Sequence, residues 1–162
     1  MYKRQHVEAD KIIIATGSLP VSLPGVKFDE KVIVSSTGAL KLEQVPKKMV
    51  VVGGGYIGLE MGSVWSRLGT EVHVVEFLDH ITPGMDKEIS TEFMKILKKQ
   101  KINFHLQHKV EQIKNNSTNA IVSTSDKEGK KKDFDCDVVL VSVGRKPNTC
   151  LLYTSPSPRD VR

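Results

Sequence analysis

Residues 50–60 read VVVGGGYIGLE, and this stretch decides how the chain folds. A run of valines, typical of a strand buried on both faces, ends abruptly at Gly53. Apolar residues at helical spacing follow from Ile57 to Leu68, which predicts a helix over residues 56–68. Glycines give the backbone unusual conformational freedom and bring no side chain. The stretch therefore predicts a tight strand-to-helix turn that another group can approach closely.

The residues after this helix predict a repeating order of strands and helices. Gly69 stands where a helix C-cap glycine belongs, and residues 71–77 (EVHVVEF) alternate as a second strand. Asp86 is a good N-cap for a second helix, whose apolar side would include Ile89, Phe93, Ile96 and Leu97. Residues 103–106 predict a third short strand. This order is typical of a parallel sheet with crossover helices.

The rest of the chain completes the predicted fold class. Residues 109–135 carry short β-like pieces separated by turn residues, which indicates an antiparallel meander, and residues 137–143 (DVVLVSV) predict a last buried strand. Residues 11–14 predict another short strand, after which the prolines at 20 and 24 are expected to break regular structure. The prediction is an α/β fold of Rossmann type, a parallel sheet with flanking helices and an antiparallel β-meander.

The spacing Gly53-x-Gly55-x-x-Gly58 fits the dinucleotide fingerprint, and the strand and helix around it supply the required context. Gly53 would permit the turn, Gly55 would let a pyrophosphate approach the backbone, and Gly58 would let the helix lie close to the strands. The anion would be held by free N–H groups at the positive end of the helix dipole. The alternative is a glycine-rich turn with no ligand.

Glu76 ends the second predicted strand, eighteen residues after Gly58. A carboxylate there accepts hydrogen bonds from the ribose hydroxyls of an adenosine and repels a 2′-phosphate. The next four residues contain no arginine. The sequence thus favours NAD over NADP, the alternative for Glu76 being a solvated acid at a strand end.

Composition excludes several other function classes. The net charge of +5 comes from scattered lysines that are not interleaved with aromatic residues, so nucleic-acid binding is not expected. No apolar run is long enough to span a bilayer, and residues 1–11 lack the apolar segment of a secretory signal. We expect neither a nucleic-acid nor a membrane partner.

The cysteines and histidines suggest no redox or metal chemistry. Cys136 and Cys150 are spaced neither as a C-x-x-C redox pair nor as a zinc knuckle, and we assign them no role. His105 and His108 would share a metal only with a third ligand from elsewhere. No metal site is predicted.

Several stretches together resemble the FAD-containing pyridine nucleotide–disulfide oxidoreductases, and within that family the dihydrolipoyl dehydrogenases. The likeness covers about residues 8–149. Its motifs are ADKIIIATGSLPVSLPG at 9–25, VSSTGAL at 34–40, GGGYIGLEMGSVWSRLGTEVHVVEF at 53–77, ITPGMDKEI at 81–89 and VSVGRKPN at 141–148. The resemblance implies that residues 8–25 are the terminal piece of an FAD-binding domain, 26–46 a connector with a short helix near 37–42, and 47–149 an NAD-binding domain.

The same resemblance implies a role for each matching position. Residues matching an FAD-contacting loop are Thr16, Gly17 and Ser18. Residues matching the NAD phosphate loop and first helical turn are Gly53, Gly54, Gly55, Tyr56, Ile57, Gly58, Leu59 and Glu60. Glu76 matches the ribose acid, Val110 a residue packed against the adenine, and Gly144 a backbone contact near the nicotinamide. Tyr56 also lies where a side chain can lean over the nicotinamide pocket.

The departures from the family pattern concern catalysis. Nothing in the chain corresponds to the family's C-x-x-x-x-C redox disulfide or to its His–Glu pair, so we assign no catalytic residue. Residues 1–7 and 150–162 do not continue the family sequence and resemble non-native additions, of the kind that sequencing-adaptor read-through produces. The alternative for the second of these segments is a genuine disordered tail.

The expected function follows from the resemblance. The parent enzyme would oxidise dihydrolipoamide on a lipoyl domain and pass hydride through FAD to NAD, as a homodimer in 2-oxo acid dehydrogenase complexes. It would act in the mitochondrial matrix of a eukaryote or the cytoplasm of a bacterium. The chain itself would bind NAD or NADH and be inactive. The alternatives are a piece of another FAD-dependent NADH or disulfide oxidoreductase, or a stand-alone, non-catalytic dinucleotide-binding module.

Overall fold

The computed structural model describes residues 7–150 and residue 152, in two compact units. One unit comprises the residues up to Leu19 and from Arg145 onward, and the other comprises Pro20–Gly144. The strands are β1 Ser18–Pro20, β2 Ile33–Val34, β3 Lys48–Val52, β4 Glu71–Val75, β5 Asn103–His105, β6 Lys109–Asn115, β7 Ala120–Ser125, β8 Lys131–Cys136, β9 Val138–Val141 and β10 Arg145–Pro147. The helices are α1 Ser36–Ala39, α2 Tyr56–Arg67 and α3 Lys87–Lys99.

The larger unit is built on a parallel sheet with the strand order β2-β9-β3-β4-β5. The valines of β3 are buried on both faces of the sheet, and Leu140 of β9 beside them is fully buried. A continuous apolar run is expected for a central parallel strand, because helices or further strands cover each face. The predicted α/β fold with a parallel sheet is confirmed.

Helix α2 lies close to the sheet, as its small residues require. A Cβ added at Gly62 would lie 3.3 Å from the Val72 side chain, so the helix backbone itself forms part of the contact. Leu59 and Trp65 bury their side chains on the same side. The helix ends one residue earlier than predicted, with Leu68 as its C-cap, and Gly69 follows in the left-handed region at φ +105°.

Helix α3 begins at the predicted N-cap. The Asp86 carboxylate accepts hydrogen bonds from the backbone N–H groups of Glu88 and Ile89. The helix buries Leu97 and Ser90, but Ile89 is 61% exposed and Ile96 is 51% exposed. The predicted apolar side of α3 is therefore wider than the part of it that the described residues bury.

The predicted meander is confirmed as the antiparallel sheet β6-β7-β8. Alternate residues of β7 and β8 point inward, with Ala120, Val122 and Phe134 buried in a core that they share with one face of the parallel sheet. Cys136 lies in the same core, where burial raises the pKa of its thiol to about 12. A thiol in this state is a packing group and not a nucleophile.

In the smaller unit the prediction for residues 11–14 is wrong. These residues form no strand, and Ile12 and Ile13 are 76% and 90% exposed. An apolar run becomes a strand only where a neighbouring strand pairs with its backbone, and the described residues provide none here. The strand lies instead at Ser18–Pro20, where Pro20 was expected to break regular structure, and it pairs with β10.

Two further sequence predictions concern the ends of the chain and membrane-spanning helices. The interpretation of residues 1–7 and 150–162 as non-native falls almost wholly outside the described residues, which include only Val7, Cys150 and Leu152 of these segments. Within the described part, no helix combines the length and the apolarity that crossing a bilayer demands.

Candidate functional site

The turn after β3 requires glycine at its first position. Gly53 has φ +104°, and an added Cβ would lie 2.6 Å from the backbone oxygen of Ser142, the residue after the neighbouring strand β9. Its N–H donates to the Val75 carbonyl at 2.9 Å, so the turn starts while the chain is still bonded to β4. Both the positive φ and the lack of space exclude a side chain here.

Gly58 and Gly55 differ in what surrounds them. An added Cβ at Gly58 would lie 2.5 Å from the Gly53 carbonyl oxygen and 2.5 Å from the Ser142 hydroxyl. An added Cβ at Gly55 meets nothing within 4 Å. Gly58 thus serves internal packing, whereas the space beside Gly55 is open for an incoming group. The close packing predicted for Gly58 is observed, and the approach of a pyrophosphate at Gly55 stays a prediction that the open space allows.

The open space lies at the beginning of α2. Gly55 is the N-cap and provides no side-chain hydrogen bond, and the first internal bond of the helix runs from the Leu59 N–H to the Gly55 carbonyl. The N–H groups of Tyr56, Ile57 and Gly58 therefore have no acceptor within the helix. With the positive pole of the helix dipole, they form a site suited to an anion.

Glu76 immediately follows β4, which ends at Val75 and not at Glu76 as predicted. The side chain is 8% exposed, so it is not a solvated strand-end acid. Its Oε2 accepts a hydrogen bond from the Gly54 N–H at 2.6 Å, and its Oε1 accepts one from the Leu78 N–H at 2.8 Å. A carboxylate oxygen accepts more than one bond, so both oxygens keep capacity for further donors.

Two residues that hold the turn were missed by the sequence reasoning. The Ser142 hydroxyl lies within donating distance of the Val52 carbonyl (3.1 Å) and the Gly53 carbonyl (3.2 Å). The N–H of buried Thr82 donates to the Gly54 carbonyl at 2.8 Å. Both lie far from the turn in sequence, and no local pattern marks them. The turn is held by hydrogen bonds to β4, to the residue after β9 and to the loop before α3.

The structure places Val110 and Gly144 as follows. Val110 lies half-buried in β6, two residues after His108, whose N–H donates to the Glu76 backbone carbonyl at 3.0 Å. The meander therefore starts directly beside Glu76. Gly144 lies beyond β9 at φ +128°, exposed, and its carbonyl accepts a hydrogen bond from the Val21 N–H at 3.0 Å.

Thr16, Gly17 and Ser18 lie in the smaller unit. Thr16 and Gly17 are exposed, and the Gly17 carbonyl accepts a hydrogen bond from the Asn148 N–H at 2.9 Å. The Arg145 guanidinium donates to both the hydroxyl and the carbonyl of Ser18, each at 2.7 Å. The loop predicted to touch FAD is thus held by the residues of β10 and the position after it.

A histidine cluster lies at the edge strand of the parallel sheet. His73 Nδ1 and His105 Nε2 are 3.0 Å apart with their rings stacked, and the Phe134 ring lies 4.6 Å from that of His105. Burial, with the charge of Lys132 next, lowers the pKa of His105 to about 4. Within the described chain, no three His, Cys, Asp or Glu side chains are arranged to hold a metal ion.

The chain matches one known family and is similar to known proteins. The model of the pyridine nucleotide-disulphide oxidoreductases matches residues 2–160. Dihydrolipoyl dehydrogenase 1 of Arabidopsis thaliana, a mitochondrial protein, is 54% identical over 144 residues, which is 88% of this chain and 28% of the relative. The mitochondrial dihydrolipoyl dehydrogenase of Dictyostelium discoideum is 51% identical over 146 residues, 88% of this chain and 30% of the relative.

The fold is shared with solved structures. An FAD-dependent pyridine nucleotide-disulphide oxidoreductase from Desulfovibrio vulgaris superposes with a TM-score of 0.73 at 27% identity, over 94% of this chain and 41% of the other. The chain spans less than a third of the length of the two curated relatives named above. The resemblance found in the sequence is confirmed, and the chain belongs to the pyridine nucleotide-disulphide oxidoreductase family.

Proposed function

We propose that the chain is the NAD-binding portion of a dihydrolipoyl dehydrogenase. Residues 47–149 are its NAD-binding domain, residues 26–46 a connector and residues 8–25 the end of an FAD-binding domain. The family implies binding of both FAD and a pyridine nucleotide. The similarity to dihydrolipoyl dehydrogenases at 51–54% identity supports this enzyme over other members of the family.

One observation carries the proposal: the N-terminus of α2 is open at Gly55, and the Glu76 carboxylate lies within one hydrogen bond of the same turn. A dinucleotide needs an anion site for its pyrophosphate and an acceptor for its ribose hydroxyls. The leading N–H groups of α2 supply the first, and the free lone pairs of Glu76 supply the second. The residues present therefore fit the group.

The preference for NAD over NADP rests on charge. A 2′-phosphate would meet the Glu76 carboxylate, which is fixed by two backbone N–H groups and cannot move away without breaking both bonds. Residues 77–80 (FLDH) provide no arginine to neutralise the phosphate. Val110, at the beginning of the meander beside Glu76, would contact the adenine.

The remaining roles concern the complete enzyme. There, FAD and NAD would supply the redox chemistry that oxidises a protein-bound dihydrolipoamide, and this chain would hold the nicotinamide in position relative to the flavin. Tyr56, whose side chain is 62% exposed at the start of α2, would lean over the nicotinamide, and Gly144 would contact that end through its backbone. Leu59 and Glu60 complete the first helical turn. Thr16, Gly17 and Ser18 would touch FAD.

The partners and location belong to the same proposal. The complete enzyme would act as a homodimer on lipoyl domains of 2-oxo acid dehydrogenase complexes, in the mitochondrial matrix of a eukaryote or the cytoplasm of a bacterium. The two curated relatives compared above are mitochondrial proteins. The chain alone is proposed to bind the nucleotide without catalysis.

Isothermal titration calorimetry on the 162-residue chain tests the proposal, with NADH and NADPH as ligands. We expect one NADH per chain and binding of NADPH at least about tenfold weaker, which corresponds to about 1.4 kcal/mol. The variant Glu76→Ala should lose this preference for NADH. Glu92→Ala is its matched control, because Glu92 is an exposed acid paired with Lys95 on α3. Equal affinity for both nucleotides would refute the role of Glu76, and no heat from a folded chain would refute the site.

A further inference from the structure

The hydroxyl of Ser142 occupies the space that the missing side chain of Gly58 leaves. A Cβ built on Gly58 would lie 2.5 Å from this hydroxyl and 2.5 Å from the Gly53 carbonyl oxygen. Gly58 thus lacks a side chain for two reasons: the helix lies close to β3, and the hydroxyl of the residue after β9 reaches in between them. The fingerprint by itself explains only the first of these.

From that position Ser142 reaches the backbone of the turn. Its hydroxyl contacts the Val52 carbonyl at 3.1 Å and the Gly53 carbonyl at 3.2 Å, and its own N–H donates to the Val52 carbonyl at 2.9 Å. Since a hydroxyl has one hydrogen, it donates to one carbonyl or shares between the two. A bond to the Val52 carbonyl restrains the peptide between Val52 and Gly53, and a bond to the Gly53 carbonyl restrains the peptide plane between Gly53 and Gly54.

That peptide plane determines where the Gly54 N–H points. The same peptide unit carries the Gly53 carbonyl at one end and the Gly54 N–H at the other, because the peptide bond is planar. The Gly54 N–H donates to Glu76 at 2.6 Å. Ser142 after β9 and Glu76 after β4 therefore contact opposite ends of one peptide, and each limits its rotation.

We propose that Ser142 is a positioning residue for the dinucleotide site: it orients the Gly53–Gly54 peptide, and through it the Glu76 carboxylate and the approach to Gly55. The inference rests on the proposed function for its effect on binding, though not for the hydrogen bonds themselves. Ser142 need not touch the nucleotide. Removing the Ser142 hydroxyl loosens the turn. Nucleotide binding must then order the turn, which lowers the net binding free energy.

The test compares Ser142→Ala with Ser66→Ala in the full 162-residue chain. Ser66 is the matched control, because its hydroxyl also donates to a backbone carbonyl, that of Gln100, at 3.0 Å. Both variants lose one such bond, so a general loss of stability is common to them. Only Ser142→Ala is expected to weaken NADH binding, by about threefold to tenfold, measured by calorimetry at a temperature where circular dichroism shows both variants fully folded.

A second readout works without ligand. In ¹H–¹⁵N spectra of the free chain, Ser142→Ala should shift the Gly53 and Gly54 amide signals and speed the hydrogen exchange of Gly54, whereas Ser66→Ala should leave these amides unchanged. If the parent chain binds no NADH, the proposed function fails, and these amides alone decide the positioning role. Unchanged Gly53 and Gly54 amides, or parent-like NADH affinity in Ser142→Ala, would overturn the inference.

Discussion

The turn at residues 53–58 and the loop at residues 16–18 are the two places where the family resemblance assigns a cofactor, and they are held very differently. The turn at 53–58 is bonded to Val75, Glu76, Thr82 and Ser142 and is half-buried or buried apart from Tyr56. The loop at 16–18 is held by Arg145 and Asn148, with Thr16 and Gly17 exposed. The turn proposed to bind NAD is thus held from three other parts of the chain, whereas the loop proposed to contact FAD is held by β10 and Asn148 and leaves Thr16 and Gly17 exposed.

The largest expected effect comes from filling the space at Gly58. Gly58→Ala places a methyl group against the Gly53 carbonyl and the Ser142 hydroxyl, so we expect a loss of about 1–3 kcal/mol in unfolding free energy and no measurable NADH binding. Thermal and urea unfolding, followed by NADH titration, measure both quantities.

Gly55→Ala is the contrasting variant for that test. Its methyl group meets no protein atom within 4 Å and would lie where the nucleotide approaches. We expect stability within about 1 kcal/mol of the parent chain, with NADH binding strongly reduced. Normal binding by Gly55→Ala would show that the open space is not the approach to the pyrophosphate.

The second prediction concerns Glu76. Glu76→Ala removes the proposed ribose acceptor and leaves the Gly54 N–H without its partner, so we expect NADH affinity to fall by about tenfold to a hundredfold. The discrimination against NADPH should fall with it. Competition titrations with the two nucleotides measure both effects, and a variant that loses NADH affinity but keeps its full preference over NADPH would contradict the charge argument.

A third prediction concerns His105, on the strand beside Glu76, and the dependence of the unfolding free energy on pH. The His105 carbonyl accepts the Glu76 N–H at 2.9 Å, and the pKa of the His105 ring is lowered to about 4 by burial and then by Lys132. An unfolded histidine titrates near pH 6.5, so the unfolded state binds the extra proton first as the pH falls. Stability is therefore full above about pH 6.5 and is lost progressively towards pH 4.

The expected loss for this half-buried ring is about 1–2 kcal/mol, after solvent screening is considered. Urea unfolding at a series of pH values measures it. His105→Gln should flatten the curve between pH 6.5 and pH 4. Glu71 contributes at a lower pH, because the hydrogen bond from His73 holds the pKa of its carboxyl group below its usual value, so its stabilisation is lost only as the pH falls through that lowered pKa. A slope that persists in His105→Gln would assign the pH dependence to another group.

The smallest expected effects come from the other loop. Ser18→Ala should leave NADH affinity unchanged, and the purified chain should retain no flavin, because only Thr16, Gly17 and Ser18 match flavin-contacting positions. Flavin absorbance of the purified chain and an FAD titration test this. A yellow preparation whose colour is bleached by a reductant would show that the loop at residues 16–18 is enough to hold FAD, and would remove the contrast between the loops.

The sequence predicted the turn well because its determinants are local. Three glycines at fixed spacing, a valine run before them and an amphipathic helix after them specify Gly53, Gly55 and Gly58 without knowledge of the rest. Ser142 was missed because 89 residues separate it from Gly53, which it contacts. Thr82 was missed because its contact with Gly54 joins two separate loops. No periodicity encodes such contacts.

The wrong predictions share a different cause. The run at residues 11–14 and the exposed Ile89 and Ile96 have the apolar character of buried positions, yet the described chain offers nothing to cover them. A pattern of apolar residues shows which side chains prefer burial, whereas their actual burial depends on a partner surface that covers them. The chain spans less than a third of the two relatives named above, so its pattern and its contacts need not agree.

Chemical-shift mapping with NADH tests the central claim most directly, because it reports both loops in one experiment. We predict that NADH added to the folded, ¹⁵N-labelled 162-residue chain moves the amide signals of Gly54, Gly55, Ile57 and Gly58 and leaves those of Thr16 and Gly17 in place. Shifts confined to residues outside the turn, or no shifts at all from a chain with dispersed, folded spectra, would contradict it.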